Sequence, residues 1–441
     1  MELLSGDIRR LFWKYLAASV MGAVVTSVYS FVDVIAIGQS EGPAGTAAMA
    51  VIVPLYGIMV FLAVTCGAGG AVLMGNARGR GDNAAGDSYF GAALALIGAV
   101  TAAVWIALAL FHRRIFTLFG ADEQMMSKVL GYGRWVILAV PVFMLPHFIG
   151  AFIRNDGNPS LVTAAVISGG VVNALGDWLF VFPLGMGMEG AAVATVLGTL
   201  VQGIVMGTHF LSRRCRLRSA RPRALCRTFA RIILAGFGAG VLELGNVVLT
   251  VAMNNQIMRY GDMDRLAVYG LIVTVGTLFQ SLFNGVGQGI QPIVSANCGA
   301  GLHERILSVW RRGLFVSLAM GAAFVCAGEL FPAGITRLFM DATDGVLAAA
   351  PGVFRPYFPM FLFLGITTLS TYYLQSLLHE RMSLAIALLR SMALSVPVLL
   401  ALPRLLGILG VWLAVPVSEL AVSALALAYI ASVNRALRRV G

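Results

Sequence analysis

Residues 29–38 read YSFVDVIAIG and end the first long apolar run of the chain. A charged side chain in hydrocarbon costs at least roughly 2.5–3.5 kcal/mol, so acids within such runs face a cavity and serve transport or relay functions. Asp33 is such an acid. The stretch therefore predicts a fold made of membrane-spanning helices, with a functional carboxylate inside one of them.

The composition supports a membrane protein. The chain has 441 residues, of which 59% are hydrophobic and only 12% are charged, and its mean hydropathy is +0.87. A soluble domain would carry about 25% charged residues. The formal net charge of +11 lies in the loops, which indicates basic loops retained in the cytoplasm rather than nucleic-acid binding.

Apolar segments of about 20 residues, the length that crosses a bilayer as a helix, predict an all-α membrane protein with twelve transmembrane helices. The predicted spans are 11–37, 44–75, 88–111, 132–153, 160–182, 189–211, 231–258, 265–297, 312–331, 357–378, 383–402 and 408–434.

The distribution of lysine and arginine predicts the orientation. These residues are more than twice as frequent in the segments that share a side with the N-terminus as in the opposite loops, which places both termini in the cytoplasm. The arginine-rich segment 212–230 separates an N-terminal six-helix lobe, 1–211, from a C-terminal six-helix lobe, 231–441. Its arginines are consistent with a topology signal and also with binding to lipid headgroups.

The two halves show an internal repeat at one constant offset in sequence. Transporters are often built from such repeats. The offset superimposes glycines along the whole length of the halves: Gly67 and Gly69 on Gly287 and Gly289, Gly79 and Gly81 on Gly299 and Gly301, and Gly187 and Gly190 on Gly407 and Gly410. The repeat predicts two lobes of equal orientation, related by a pseudo-two-fold axis along the membrane normal.

The polar residues inside the spans of the N-terminal half predict an ion- or proton-coupling site. Asn173 and Asp177 are four residues apart and share a helix face, as do Tyr29 and Asp33, and Thr195 begins the next span. A carboxylate that can be charged or neutral suits proton coupling, and the same oxygen ligands suit Na⁺. Alternatively, these groups only hydrogen-bond one another across helices.

The C-terminal half lacks matching acids, because the repeat places Met253 and Pro397 opposite the two aspartates. Glu243, with Asn246 three residues later, forms a possible second ion or substrate site, or a glutamate with a purely structural partner.

A second acid in the C-terminal half has an obvious basic partner. Glu419 in the twelfth span is expected to pair with Arg390 in the eleventh. We interpret this pair as structural.

Catalytic signatures are absent from the sequence. The chain has two lysines, neither in a GxxxxGK[ST] nucleotide-binding motif, and its histidines and five cysteines lack metal-ligand spacing. We therefore expect no enzyme activity, no nucleotide, no metal and no cofactor other than a coupling ion, H⁺ or Na⁺.

Several motifs in this order resemble the multidrug and toxic compound extrusion (MATE) family. They are DVIAIG at 33–38, GTAAMA at 45–50, NALGD at 173–177, GMGMEGAAVAT at 185–195, and QPIVSAN at 291–297 followed by GAG at 299–301. The resemblance covers essentially the whole chain. It implies a two-lobed antiporter that alternates between outward and inward openings.

The resemblance also implies roles for particular residues. The family's polar network in the N-terminal lobe carries over onto Tyr29, Asp33, Asn173, Asp177 and Thr195. Family members with a cation site in the C-terminal lobe pair a glutamate in span seven, which Glu243 matches, with an aspartate in span ten, where this chain reads TTLST at 367–371. The missing acid favours the bacterial DinF- and MepA-type branches.

The expected function is secondary active efflux of amphipathic, mostly cationic drugs or toxic organic compounds, coupled to inward H⁺ or Na⁺ movement. The expected partners are these small molecules and membrane lipid, without nucleic acid or nucleotide, and the expected functional unit is a monomer in a bacterial inner membrane. The alternatives are a lipid-linked precursor flippase of the same superfamily and a non-transporting membrane scaffold.

Overall fold

A computed structural model describes residues 2–119, 123–213, 215–220, 225–339 and 344–440. Within helices, some side chains lie outside the described set: those of residues 2, 27–35, 38–39, 41–47, 50, 124–125, 242–244, 246–248, 263, 267, 338–339 and 440. The described residues form helices joined by short turns and contain no strand.

The described residues of the first half form seven α-helices and one π-helical turn. They are α1 (Glu2–Ser5), α2 (Ile8–Gly79), α3 (Asn83–Leu118), α4 (Glu123–Leu138), α5 (Val140–Asn155), α6 (Pro159–Gly176), the π-helical turn Asp177–Val181, and α7 (Gly187–Leu211).

In the second half, ten α-helices and one π-helical turn are formed by the residues that the structure describes. They are α8 (Leu225–Tyr260), α9 (Met263–Gly299), α10 (His303–Leu330), α11 (Pro332–Phe339), α12 (Asp344–Tyr357), α13 (Met360–Ser376), α14 (Glu380–Leu388), the π-helical turn Leu389–Ala393, α15 (Ser395–Ala401), α16 (Pro403–Leu406) and α17 (Ile408–Val440).

Most of the predicted spans coincide with these helices. Among the described residues, 8 helices are long and apolar enough to cross a membrane, or up to 10 if each of two bent pairs is one span. The predicted spans 11–37 and 231–258 lie on α2 and α8, where some side chains are outside the described set.

The predicted span 132–153 is broken. Met126–Leu138 and Val140–Asn155 meet at an angle of 55°, with Pro141 in the first turn of α5. Proline lacks the amide hydrogen that would continue the helix and clashes with the preceding turn, so it produces a kink there. A second bend of 44° separates α12 from α13, next to Pro359.

The backbone confirms the internal repeat. Gly81, in the turn after α2, has a φ of 84°, and its repeat counterpart Gly301, in the turn after α9, has a φ of 70°. Gly187 and Gly407, which the same offset superimposes, have φ values of 53° and 59°. Positive φ is a conformation that glycine adopts without strain, which explains why the matches between the halves concentrate at glycines.

One turn repeats its shape without repeating its glycine. The turn after α5 has hydrogen bonds from the amides of residues 156–158 to the preceding helical turn, and the turn after α13 has the same bonds from residues 377–379. Gly157 has a φ of 93°, whereas its counterpart is Leu378 at a φ of 62°. A non-glycine residue in this region costs of order 1 kcal/mol.

The chain divides into two compact units. Unit 1 is Met1–Leu3 with Ala17–Gly240, and unit 2 is Leu4–Leu16 with Val241–Gly441. The predicted lobe boundaries at the basic segment 212–230 remain a prediction.

Close helix packing explains why each unit includes the start of a helix from the other half. In unit 1, a Cβ on Gly236 of α8 would clash with the carbonyl oxygen of Thr65 in α2. In unit 2, a Cβ on Gly289 of α9 would lie 3.2 Å from Cα of Leu16 in α2. Small residues permit this close approach in membrane helices.

Candidate functional site

The candidate site in unit 1 is built on the interface of α6 and α7. A Cβ on Gly198 of α7 would lie 2.6 Å from the carbonyl oxygen of Gly169 in α6. Further along, a Cβ on Gly176 would lie 2.8 Å from Cβ of Ala194. These contacts hold the two backbones together and bring Asn173, between them on α6, against α7.

Asp177 follows α6 directly and begins the π-helical turn Asp177–Val181. Its side chain is fully buried, with 0% exposure. Single π-helical turns inside longer helices occur frequently at functional sites. The Asp177 carboxylate therefore lies in the interior of unit 1, and its role in coupling stays a prediction.

Asn173 and Thr195 meet across the α6–α7 interface. The Asn173 Nδ2 donates to Oγ1 of Thr195 over 3.4 Å, and Asn173 is buried. The Thr195 hydroxyl donates to the carbonyl oxygen of Ala191 and lies 3.4 Å from the hydroxyl of Tyr132 on α4. The sequence prediction that Asn173 and Thr195 lie together is consistent with this geometry, and Asp177 lies one helical turn beyond Asn173.

Tyr132 was not identified from the sequence. It lies between Gly131 and Gly133 at the edge of a predicted span, and nothing in its local pattern distinguishes it from an interfacial aromatic residue. Only the packing of α4 against α7 places its hydroxyl beside Thr195.

Four predicted site residues lie outside the described side chains: Tyr29, Asp33, Glu243 and Asn246. Their assignment stays a prediction.

Unit 2 contains a buried ionic network, and the predicted pair is confirmed. The Arg390 Nε donates to Oε1 of Glu419 over 3.0 Å, and both side chains are at most 5% exposed. The guanidinium also donates to Oγ1 of Thr368 at 2.8 Å and to Oε1 of Gln280 at 3.0 Å. The Thr367 hydroxyl donates to the second oxygen of Glu419 at 2.8 Å.

This network neutralises both buried charges. Each oxygen of the carboxylate has a donor, and the guanidinium has three acceptors, which is the arrangement that makes a buried ion pair tolerable. The TTLST stretch, which lacks the expected acid, supplies two hydroxyls to the pair.

One group of possible metal ligands lies elsewhere in unit 1. Asp156, His209 and Cys215 have ligand atoms within 4.8 Å of one another. The sequence showed no metal spacing because these residues come from three separate segments.

The helices, the two repeated halves and the buried polar residues within apolar spans define a multi-pass membrane transporter. Comparison with known proteins places it in a family. The model of the MatE family matches residues 18–179 and again residues 239–400, so its two copies follow the internal repeat to within one position. The chain belongs to the MatE family, whose members are multidrug efflux transporters rather than enzymes.

Curated relatives match most of the chain at low identity. The chain is 23% identical to the "Probable multidrug resistance protein YoeA" of Bacillus subtilis, over 76% of this chain and 74% of the relative. It is 21% identical to the "Multidrug export protein MepA" of Staphylococcus saprophyticus, over 89% and 86%. It is 22% identical to a "FAD transporter" of Shewanella oneidensis, over 95% and 93%.

A solved structure confirms the fold class. The chain superimposes on an outward-facing multidrug resistance MATE transporter of the MOP superfamily with a TM-score of 0.91 and 18% identity, covering 99% of this chain and 98% of that one. The all-α, twelve-helix, two-lobed fold predicted from the sequence is therefore correct.

Proposed function

We propose that the protein exports amphipathic, mostly cationic organic compounds and couples their export to inward movement of H⁺ or Na⁺ by alternating access. The coupling residues in this proposal are Asp33 and Asp177, with Tyr29, Asn173 and Thr195 around them. Membership of a multidrug efflux family supports the substrate class.

The observation that carries the proposal is the complete burial of Asp177 in the π-helical turn after α6. A buried carboxylate is expensive as a free anion. Exchange between a proton or metal ion and a cationic substrate keeps it neutralised throughout the cycle. The amide of Asn173 and the hydroxyl of Thr195 supply further oxygen ligands for a hard cation.

The mechanism follows from competition for this charge. The cationic compound binds from the cytoplasm while the carboxylates are charged. Protonation or Na⁺ binding from the outside removes the net negative charge, weakens the attraction for the compound and releases it outward. Loss of the ion to the cytoplasm restores the site.

The test is efflux of a fluorescent organic cation from proteoliposomes under an imposed ion gradient. Asp177→Asn removes the charge with little change in size, and we expect at least a tenfold loss of ion-driven efflux, because one unscreened charge contact is worth about 1.4 kcal/mol or more. Glu304→Gln is the matched control, since it neutralises an exposed acid in the first turn of α10.

Equal efflux by the Asp177→Asn and Glu304→Gln proteins would contradict the proposed role of Asp177. Comparison of a pH gradient with a Na⁺ gradient at constant pH identifies the coupling ion. Transport of FAD without transport of organic cations would overturn the substrate class.

We further propose that the monomer is the functional unit and that both termini face the cytoplasm of a bacterial inner membrane. The excess of arginine on that side supports this orientation. Fusion of each terminus to a reporter that is active only in the cytoplasm tests this orientation, and an inactive reporter at either terminus of an expressed fusion would contradict it.

A further inference from the structure

Arg78, near the end of α2, lies in a buried cluster at the ends of several unit 1 helices. The residue is only 8% exposed. Its guanidinium donates to Oδ1 of Asp156 at 3.0 Å and to Oδ1 of Asp87 at 3.1 Å. It also donates to the main-chain carbonyl oxygen of Arg216 at 2.6 Å, which lies in the segment between α7 and α8.

Asp156 holds the same residue from the other side. Its Oδ2 accepts the main-chain N–H of Arg216 at 2.8 Å, and Nε2 of His209 lies 2.9 Å away. The main chain of Arg216 is therefore bound through both its N–H and its carbonyl oxygen, while its side chain is exposed.

The hydrogen bonds around His209 indicate its tautomer. Oδ1 of Asn158 accepts the main-chain N–H of Leu161 and caps α6, so the Asn158 amide nitrogen faces Nδ1 of His209 at 3.4 Å. Nδ1 is then the acceptor, and Nε2 carries the hydrogen that it donates to Asp156. The imidazole orients the carboxylate without needing a second charge.

This arrangement argues against a metal ion among Asp156, His209 and Cys215. The imidazole nitrogen nearest the carboxylate is a donor, and both carboxylate oxygens already accept hydrogen bonds from protein groups. Metal ligation requires a thiolate, whereas burial raises the pKa of the Cys215 thiol.

The segment beyond Arg216 is also docked on unit 1. The amide of Ala220 donates to the carbonyl oxygen of Asp87 at 3.2 Å, and Leu217 is buried. A Cβ on Gly91 of α3 would clash with the carbonyl oxygen of Ala220. The main chain at Ala220 thus lies directly against α3.

Unit 2 holds the chain that leads into α2 in a similar way. The guanidinium of Arg305 donates to the main-chain carbonyl oxygen of Gly6 at 2.8 Å and to Oδ1 of Asn297 at 2.8 Å. The repeat counterpart of Arg78 is Cys298 rather than Arg305. Different arginines in the two units therefore bind the main chain just before the first long helix of each half.

We propose that Arg78, oriented by Asp156 and His209, is a positioning residue that clamps the main chain of residues 215–220 and keeps the beginning of α8 in unit 1 during transport. The clamp consists of Arg78, Asp156 and His209. α8 belongs to unit 1 up to Gly240 and to unit 2 from Val241 onward. Movement of unit 2 can therefore act on the second part of α8 only if the beginning of the helix stays fixed in unit 1. The consequence for transport rests on the proposed function, whereas the clamp itself does not.

Limited trypsin digestion of the purified full-length protein tests the clamp without any transport assay. Proteases cleave loops in proportion to how often they open. We expect Arg78→Gln to accelerate cleavage after Arg216 and Arg218 about tenfold, with the sites identified by mass spectrometry. Arg80→Gln is the matched control, because Arg80 is exposed in the same turn and its loss should leave the cleavage rate unchanged.

A second pair of variants changes residue 216, whose side chain is exposed. Arg216→Pro removes the N–H that Asp156 accepts, and cleavage after Arg218 should rise. Arg216→Ala keeps the main chain and loses only the exposed side chain, so cleavage after Arg218 should stay at the wild-type rate.

Equal protection in the Arg216→Pro and Arg216→Ala proteins would overturn the clamp. Stoichiometric zinc in the wild-type protein, lost in His209→Ala, would overturn it too and assign the cluster as a metal site.

In the vesicle assay, the expected effect of Arg78→Gln is a lower kcat at unchanged KM. If Arg78→Gln increases cleavage but leaves efflux unaltered, the clamp exists but has no role in transport. If the wild-type protein itself shows no efflux, only the proposed function is refuted.

Discussion

Replacement of Arg390 by methionine is expected to destabilise the protein by about 3–5 kcal/mol, the usual cost of leaving one partner of a buried ion pair uncompensated. The structure explains why we expect the loss in the free energy of unfolding to be this large. Among the described side chains, Glu419 would retain the hydroxyl of Thr367 as its donor, and its own side chain is 4% exposed.

Replacement of both partners should cost much less than the sum of the single changes. In Arg390→Met/Glu419→Leu no charge remains. The Thr367 hydroxyl keeps an acceptor in the carbonyl oxygen of Leu364, and Oγ1 of Thr368 keeps a donor in the amide nitrogen of Gln280. We expect a coupling energy of about 3 kcal/mol or more from the double-mutant cycle.

Denaturant titration in detergent micelles, followed by circular dichroism, measures the free energy of unfolding for the cycle. Arg404→Met is the control, because Arg404 is an exposed arginine in the same unit and its loss should change stability by no more than about 0.5 kcal/mol. Single costs below about 1 kcal/mol, or strictly additive costs, would refute the interpretation of Arg390 and Glu419 as a structural pair.

Two further predictions concern packing and backbone shape. Gly198→Ala should lower the free energy of unfolding by about 1–3 kcal/mol and reduce efflux, because the new methyl group would meet the carbonyl oxygen of Gly169 at 2.6 Å. Gly207→Ala on the same helix is the control, because nothing lies within 4 Å of a Cβ there. Equal melting temperatures of the two variants would contradict the close packing. Leu378→Gly should raise the free energy of unfolding by up to about 1 kcal/mol, because glycine adopts this positive φ without strain. Gly157→Ala at the equivalent turn should lower it by about 1 kcal/mol. Thermal unfolding measures both variants, and the opposite order would show that side-chain packing outweighs backbone strain at this turn.

In unit 2, the buried Glu419 is neutralised by Arg390. A glutamate that is paired with a guanidinium has no need to exchange ions, which supports the structural interpretation of this pair. The assignment of ion coupling to the N-terminal half stays a prediction.

The sequence by itself determined the class of fold and much of its organisation. Apolar length, the internal repeat and the excess of arginine on one side are properties of short segments or of their spacing, and a bilayer acts on each span nearly independently. The pair Arg390–Glu419 was predictable for a similar reason, because buried opposite charges in adjacent spans require each other. The burial of Asn173 and Asp177 follows from their place inside an apolar span, whereas their role in coupling stays a prediction.

Only the tertiary structure decided which distant groups meet. Tyr132 reaches Thr195 because α4 packs on α7, and Arg78 binds the main chain of Arg216 across 138 positions of sequence. Such contacts depend on the register between packed helices and on turn geometry, which no local pattern encodes. The functional role of Asp33 is predicted from its local chemistry alone, whereas the contacts of Arg78 with residue 216 could be seen only in the folded chain.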